Sequence, residues 1–237
     1  MSAPHPLPEN AGLAFHGEPL PASARLTTTA AEKLLAARNA NGRPNADVVR
    51  RFADGSRDGI REHWAVDFPP DMDAQEAALY AGPARLRRAA VQYRDLRNAL
   101  ARRERYLATA AAGTKPAWAW LDATVLPDDT LLVVARDDDF THGVLSARPF
   151  SLWWRQHHLP RSPLLAITSY PFPWTPGKGL SALTAAQEEQ RYAIARAARS
   201  GQTESLEGAV AAAYGWPADL ADEELLDLLM TQNKMRR

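Results

Sequence analysis

The sequence predicts an α+β protein, in which a mixed α/β domain is followed by a helical C-terminal region. Three observations predict it. Short apolar runs at residues 118–121 and 130–135 flank the turn residues Pro127, Asp128 and Asp129, the pattern of paired strands. Beyond Gly179 the apolar residues recur at helical spacing behind capping residues. Hydrophobic residues make up 46% and charged residues 24% of 237 residues, a globular composition with enough chain to bury a core.

The elements follow in order. Residues 1–24 read as a Pro-rich linker, because Pro4, Pro6, Pro8, Pro19 and Pro21 exclude a regular helix. A first helix is expected over 30–38, capped by Thr29 and Glu32. The cluster NANGRPN at 39–45 is a turn, and HWAVDF at 63–68 is a strand. Asp73 and Glu76 open a long helix directed towards Leu107, with Pro83 at a kink or fresh start and Leu86, Ala89, Ala90, Tyr93, Leu96 and Leu100 on one face. Residues 143–158 read as helical with an interruption near Pro149, and 166–170 as a short strand before the loop PFPWTPGKG. Three helices close the chain: one capped by Thr184 and Gln187, one over 204–214, and one lined by Leu225, Leu226, Leu228 and Leu229. The domains predicted are thus 25–178 and 179–237, with no internal repeat.

Composition narrows the function. No apolar run approaches the ~18 residues of a membrane span, and residues 1–10 lack the basic start and apolar centre of a signal peptide. With no cysteine, disulfides and thiolate metal sites are excluded, and the expected compartment is the reducing cytoplasm. Net charge is zero but unevenly spread. Eight arginines lie between Arg85 and Arg105 against Asp95 and Glu104, whereas the last 37 residues carry seven acids and three bases. The preference for arginine, with four lysines among 28 basic residues, is what a GC-rich genome gives; the clustering is not.

Catalytic motifs are missing. No Gly-rich turn follows a strand as a Rossmann cofactor site needs. Asp67-Phe68-Pro69-Pro70-Asp71 carries an inserted Phe and no terminal aromatic, and so fails as an amino-methylation tetrapeptide. None of the four lysines follows an acid by two positions, as a metal-dependent nuclease motif requires. Adjacent His157 and His158 point about 100° apart on a helix and do not share one ion easily. Trp118 and Trp120 alternate on one strand, while Trp153, Trp154, Phe172 and Trp174 read as core rather than as stacking platforms.

Several stretches, in order, resemble the MmeI-like (type IIL) adenine DNA methyltransferases. They are LPENAGLAFHG at 7–17, NGRPNADVVRRFADGSRDGIREHWAVDF at 41–68 and DMDAQEAALY at 71–80. GVLSAR at 143–148, TSYPFP at 168–173 and the segment from Gly215-Trp216-Pro217 to Leu226 complete the set. The resemblance implies a target-recognition domain and a helical C-terminus, which in that family follow an S-adenosylmethionine-dependent catalytic core. This chain begins where that core would end, as expected of a split gene product or a truncated reading frame. No cofactor is then expected here. S-adenosylmethionine belongs to a separate methyltransferase catalytic subunit, and double-stranded DNA is the other partner.

Arginine suits such a role, because its planar fork makes bidentate contacts to guanine and to phosphate. Arg94, Arg97, Arg102 and Arg103 are assigned to phosphates, and Arg50, Arg51 and Arg57, beside turn-rich loops, to the same task. Base reading is assigned to the loops around Lys115, Asp122 to Asp129, and Arg136. Two other classes stay open: a protein-interaction module or truncated remnant without DNA affinity, and an enzyme whose active site is assembled from distant residues.

Overall fold

The computed structural model describes residues 3–56, 58–69, 71–86, 94–157 and 163–236. Among the described residues it is a mixed α and β structure with two four-stranded sheets and a helical C-terminal region. The first sheet contains β1 (Ala14–His16), β5 (Arg105–Ala110), β6 (Ala119–Asp122) and β8 (Leu131–Val134), in the order β1-β8-β5-β6 and antiparallel throughout. The second contains β2 (Arg25–Leu26), β3 (Val49–Ser56), β4 (Gly59–Val66) and β7 (Leu126–Pro127), in the order β2-β4-β3-β7. Its long β3–β4 hairpin is antiparallel, and β7 joins β3 in parallel.

The first sheet is the middle layer. A strand points successive side chains to opposite faces, and here both faces are apolar. Tyr106 and Ala108 of β5, with Leu131 and Val133 of β8, face the second sheet. Leu107, Leu132 and Val134 face the helices instead. All four residues of β8 are wholly buried, so the run reads as continuously hydrophobic, as strands covered on both sides do.

Helices cover the outer face. They are α4 (Asp139–Ser146), α5 (Arg148–His157), α6 (Pro163–Thr168), α7 (Ala185–Ser200), α8 (Thr203–Tyr214) and α9 (Asp222–Met235). A Cβ at Gly143 would lie 2.6 Å from an Ile194 methyl, which shows how closely α4 and α7 pack. Trp153, Trp154, Phe172 and Trp174 are buried in this layer, as the sequence indicates. One apolar cluster joins the first sheet to α9, so the two predicted domains share a core. The remaining helices, α1 (Thr28–Ala36), α2 (Ala74–Ala78) and α3 (Arg94–Leu100), lie earlier in the chain. Helix α3 inserts Leu96 and Leu100 between the two sheets. Among the described residues no helix is long and apolar enough to cross a membrane.

Several elements differ from expectation. Residues 3–24 are docked rather than a free linker. Leu7 is buried and its N–H donates to the Thr168 carbonyl at 2.9 Å, and β1 pairs with β8. The prolines prevent a helix, but buried Asn10 replaces it by donating its amide to the carbonyls of Tyr170 at 2.8 Å and Thr168 at 3.1 Å. Asn233 fastens the same segment, donating to the carbonyls of His5 at 2.9 Å and Ser169 at 2.8 Å. Helix α1 starts two residues early, because Thr27 rather than Thr29 accepts the capping bond, from Ala30 N–H.

The long helix expected from Asp73 is broken. Asp73 caps α2 as predicted, but a short 3-10 turn follows at Pro83–Leu86, and residues 105–110 are strand β5. Ala89, Ala90 and Tyr93 lie outside the described residues. The short strand expected at 166–170 is instead the end of α6, where Thr168 Oγ1 donates back to the Leu164 carbonyl at 3.1 Å. The break near Pro149 falls at Ala147, whose extended backbone separates α4 from α5. The Thr184–Gln187 capping box forms with both of its bonds, at 3.2 and 3.1 Å.

Gly17 fixes the approach of the N-terminal segment to the β7–β8 turn, since a Cβ there would sit 2.0 Å from the Asp128 carbonyl oxygen. We expect Gly17→Ala to cost about 1–3 kcal/mol through overpacking, and Leu132→Ala, deep in the middle layer, about 2–5 kcal/mol. Urea unfolding measures both. An unchanged midpoint for Gly17→Ala would show that this segment does not lie against the turn.

Candidate nucleic-acid interface

Strand β5 separates two ends of the first sheet. Arg103 and Arg105 lie at its start, and the loop bearing Lys115 follows its last residue. Six residues at about 3.3 Å each place these ends roughly 20 Å apart. Because β8 runs antiparallel to β5, Arg136 returns to the Arg105 end. The fold therefore gathers Arg50, Arg102, Arg103 and Arg136 near one end and leaves Lys115 at the other. Arg57 lies outside the described residues.

At the arginine end much of the charge is already matched. Arg103 pairs with Asp137 at 3.1 Å, Arg136 with Asp138 at 2.8 Å and Arg105 with Asp139 at 2.8 Å. Asp139 also takes Arg199 at 2.9 Å. Asp138 doubles as the cap of α4, accepting from Thr141 N–H at 2.8 Å. Arg136 runs beneath Gly177, where a Cβ would lie 2.6 Å from its Nη1. The guanidinium of Arg105 stacks 3.8 Å from the centre of the Trp120 ring. On β3, Arg51 pairs with Glu62 and lies over Trp64.

Arg97 departs furthest from its assignment. Its Nε and Nη2 donate to Glu18 at 2.7 and 2.6 Å, and its Nη1 and Nη2 donate to Asp67 at 2.9 and 2.8 Å. Its side chain is 16% exposed and both carboxylates are buried. Burial opposes its charge, but the two carboxylates outweigh that effect and raise its pKa. Four of its five N–H donors are thus committed to two buried acids. Arg97 ties α3 to the N-terminal segment and to the strand end at Asp67. The sequence could not reveal this, because Glu18 and Asp67 are remote from Arg97 along the chain.

What remains is a compact set. Arg94 and Arg102 are exposed and form no ion pair among the described residues; Arg50 is half-buried and also forms none. Asn98, not singled out from the sequence, is exposed between Arg94 and Arg102 at helical spacing of four. The i, i+4 pattern was the available signal for it. The turn beyond α3 stays helical, with Ala101 N–H donating to the Arg97 carbonyl at 2.9 Å, so the three side chains share a face. Alongside lies a shallow hollow of about 610 Å³ lined by Asn98, Arg102 and Arg103 over Gly12 and Ala135. A second hollow of about 330 Å³, which shares Arg103, reaches Arg50 and Thr124. Asp122 lies next to Thr124, which donates to it through N–H at 2.8 Å and through its hydroxyl at 2.6 Å, and these bonds hold its pKa down. Among the described residues no three His, Asp or Glu side chains converge as metal ligands.

No protein-family model matches the sequence, and no curated protein does. Among solved structures, the type IIL restriction-modification enzyme MmeI in complex with DNA aligns with all of this chain at a TM-score of 0.59. The likeness is one of fold. Identity is 14%, and this chain spans 36% of the MmeI chain it matches. MmeI is thus a structural neighbour in fold over the whole of this chain.

Arg97→Ala removes a guanidinium shared by two buried carboxylates, which should cost about 3–5 kcal/mol. Arg102→Ala, on the exposed face, should stay within about 0.5 kcal/mol. Denaturant unfolding separates the two, and equal small effects would refute the structural role given to Arg97.

Proposed function

We propose that this chain is the DNA sequence-recognition part of a site-specific adenine-N6 DNA methyltransferase, in a restriction-modification or related phage-defence system. The reading rests on the fold likeness, over the whole chain, to part of a type IIL enzyme determined with DNA. The exposed, unpaired arginines beside open hollows support it. In this proposal double-stranded DNA lies across the α3 end of the first sheet. Arg94, Arg102 and Arg50 hold phosphates and set register. Asn98 and the Asp122–Thr124 turn face the groove, where an amide can read adenine and a carboxylate can accept from cytosine. A separate catalytic subunit binds S-adenosylmethionine and carries out methyl transfer on the extruded adenine.

A second reading, a protein-interaction module with no DNA affinity, draws on the pairing of Arg97, Arg103 and Arg136 with carboxylates of the same chain. A salt series distinguishes the two. Binding through phosphates makes log affinity fall linearly with log salt, by about 0.9 per contact. Gel shifts with the purified chain should show such a slope, and Arg94→Ala with Arg102→Ala together should reduce it by about 2. Absent or salt-independent binding favours the interaction module. Methylation of DNA by the purified chain alone would overturn the division of labour proposed here.

A further inference from the structure

At the opposite end of the first sheet two cavities meet at Lys115. One, of about 410 Å³, lies between the loop after β5, the α4–α5 junction, α8 and the start of α9. The other, of about 430 Å³, lies between that loop and the tip of the β3–β4 hairpin. Both are of a size that takes small ligands.

The loop between them is firmly held. Trp154 Nε1 donates to the Gly113 carbonyl at 3.1 Å, Ala117 N–H to Thr109 Oγ1 at 2.9 Å, and Ala111 N–H to the Thr130 carbonyl at 2.9 Å. The exposed Lys115 side chain, which forms no ion pair among the described residues, therefore projects from a fixed backbone.

The first cavity is lined mainly by residues with polar or charged side chains and carries one net positive charge, from Lys115, Arg148 and Arg155 against Glu207 and Asp222. Asp222 holds both arginines, accepting from Arg148 Nε at 2.9 Å and from Arg155 Nη2 at 3.4 Å. Arg155 nevertheless stays 67% exposed. Glu207 accepts the Arg148 backbone N–H at 2.8 and 3.0 Å. The hydroxyls of Thr114, Ser146, Ser151 and Thr203 also line this cavity, and none has a hydrogen bond among the described residues. Four hydroxyl donors and an ammonium lining one cavity suit a tetrahedral oxyanion. Burial raises the Glu207 pKa, so this acid accepts a proton more readily when an anion arrives.

The second cavity has the opposite character. Its wall is made of small residues, among them Gly55, Ala110, Gly113, Ala117 and Ala119, with Trp118 the one large apolar ring among its lining residues. Trp118 is fixed by its Nε1 bond to the Leu145 carbonyl at 3.0 Å. A broad apolar space bounded by a held indole suits a planar heterocycle. Because Lys115 lines both cavities, a ligand that bridges them has an anionic end and an aromatic end close together.

We propose that this double cavity binds a nucleotide, with its phosphate among the hydroxyls and Lys115 and its base beside Trp118. The nucleotide is either free in solution or an unstacked member of a DNA strand. The site lies away from the α3 face and does not depend on the function proposed above.

Calorimetry with the full chain tests it, using AMP, adenosine and inorganic phosphate. AMP should bind at least about tenfold more tightly than either fragment, and Lys115→Ala should weaken AMP by about tenfold, the worth of one charge-assisted hydrogen bond. Glu207→Gln should instead tighten binding several-fold, because the amide oxygen still accepts from Arg148 N–H while the negative charge is gone. Ala112→Trp, at an exposed lining position, should remove the advantage of AMP over phosphate. Opposite effects at Lys115 and Glu207 cannot come from general damage, and thermal midpoints check that each variant folds.

A strand nucleotide is identified if AMP fails to bind but Lys115→Ala and Ala112→Trp both weaken a single-stranded oligonucleotide. A free nucleotide is identified if AMP binds and oligonucleotide affinity is unchanged in both variants. AMP binding no tighter than phosphate, with oligonucleotide affinity also unchanged, overturns the proposal. Loss of duplex binding in Arg94→Ala bears on the function above and leaves this result intact.

Discussion

The structure depends on a middle sheet that is buried on both faces. Once Leu131, Leu132, Val133 and Val134 are all inside, one layer must cover the odd-numbered residues and another the even-numbered ones. The second sheet does the first and helices α4–α9 do the second. Backbone ends of a strand, unlike its faces, need no apolar cover. Both candidate binding surfaces accordingly lie at the two ends of β5, where loops and helix termini carry the polar side chains.

Charge follows the same geometry. A cluster of arginines in one stretch of sequence becomes two populations in space. Those directed inward find carboxylates, as Arg97 finds Glu18 and Asp67, because an uncompensated buried charge is too costly to leave. The acidic run Asp137–Asp138–Asp139 matches Arg103, Arg136, Arg105 and Arg199 at the strand end. Among the described residues of that stretch, Arg85, Arg94 and Arg102 stay outward and form no ion pair. The usable positive surface is therefore smaller than the arginine count suggests, and Arg94 and Arg102 of it share one helical face.

Much of the fold was legible in the sequence, and the parts that were not share a cause. Local signals were sound where the chain answers to its immediate neighbours. Thr184 and Gln187 form the predicted cap, Asp73 caps α2, and the strands at 119–122 and 131–134 fall within a residue or two of expectation. Errors arose where a remote partner decides. Residues 105–110 carry an apolar pattern that also fits a helix, and pairing with both β6 and β8 made them strand. The Pro-rich start contains no local element strong enough to predict, yet Asn10 and Asn233 fasten it to the helical layer through carbonyls far away in sequence.

The sequence by itself determined the two-part α and β character, the aromatic core of the helical layer and the arginine-rich stretch; the resemblance read from its motifs is met at the level of fold. Tertiary structure alone decided which arginines are spent on carboxylates and which face solvent, and that Lys115 stands apart from them beside two cavities. The reason is physical. Propensity and periodicity are set within a few residues, whereas the pairing of a charge and the opening of a cavity depend on what the folded chain brings within a few ångströms.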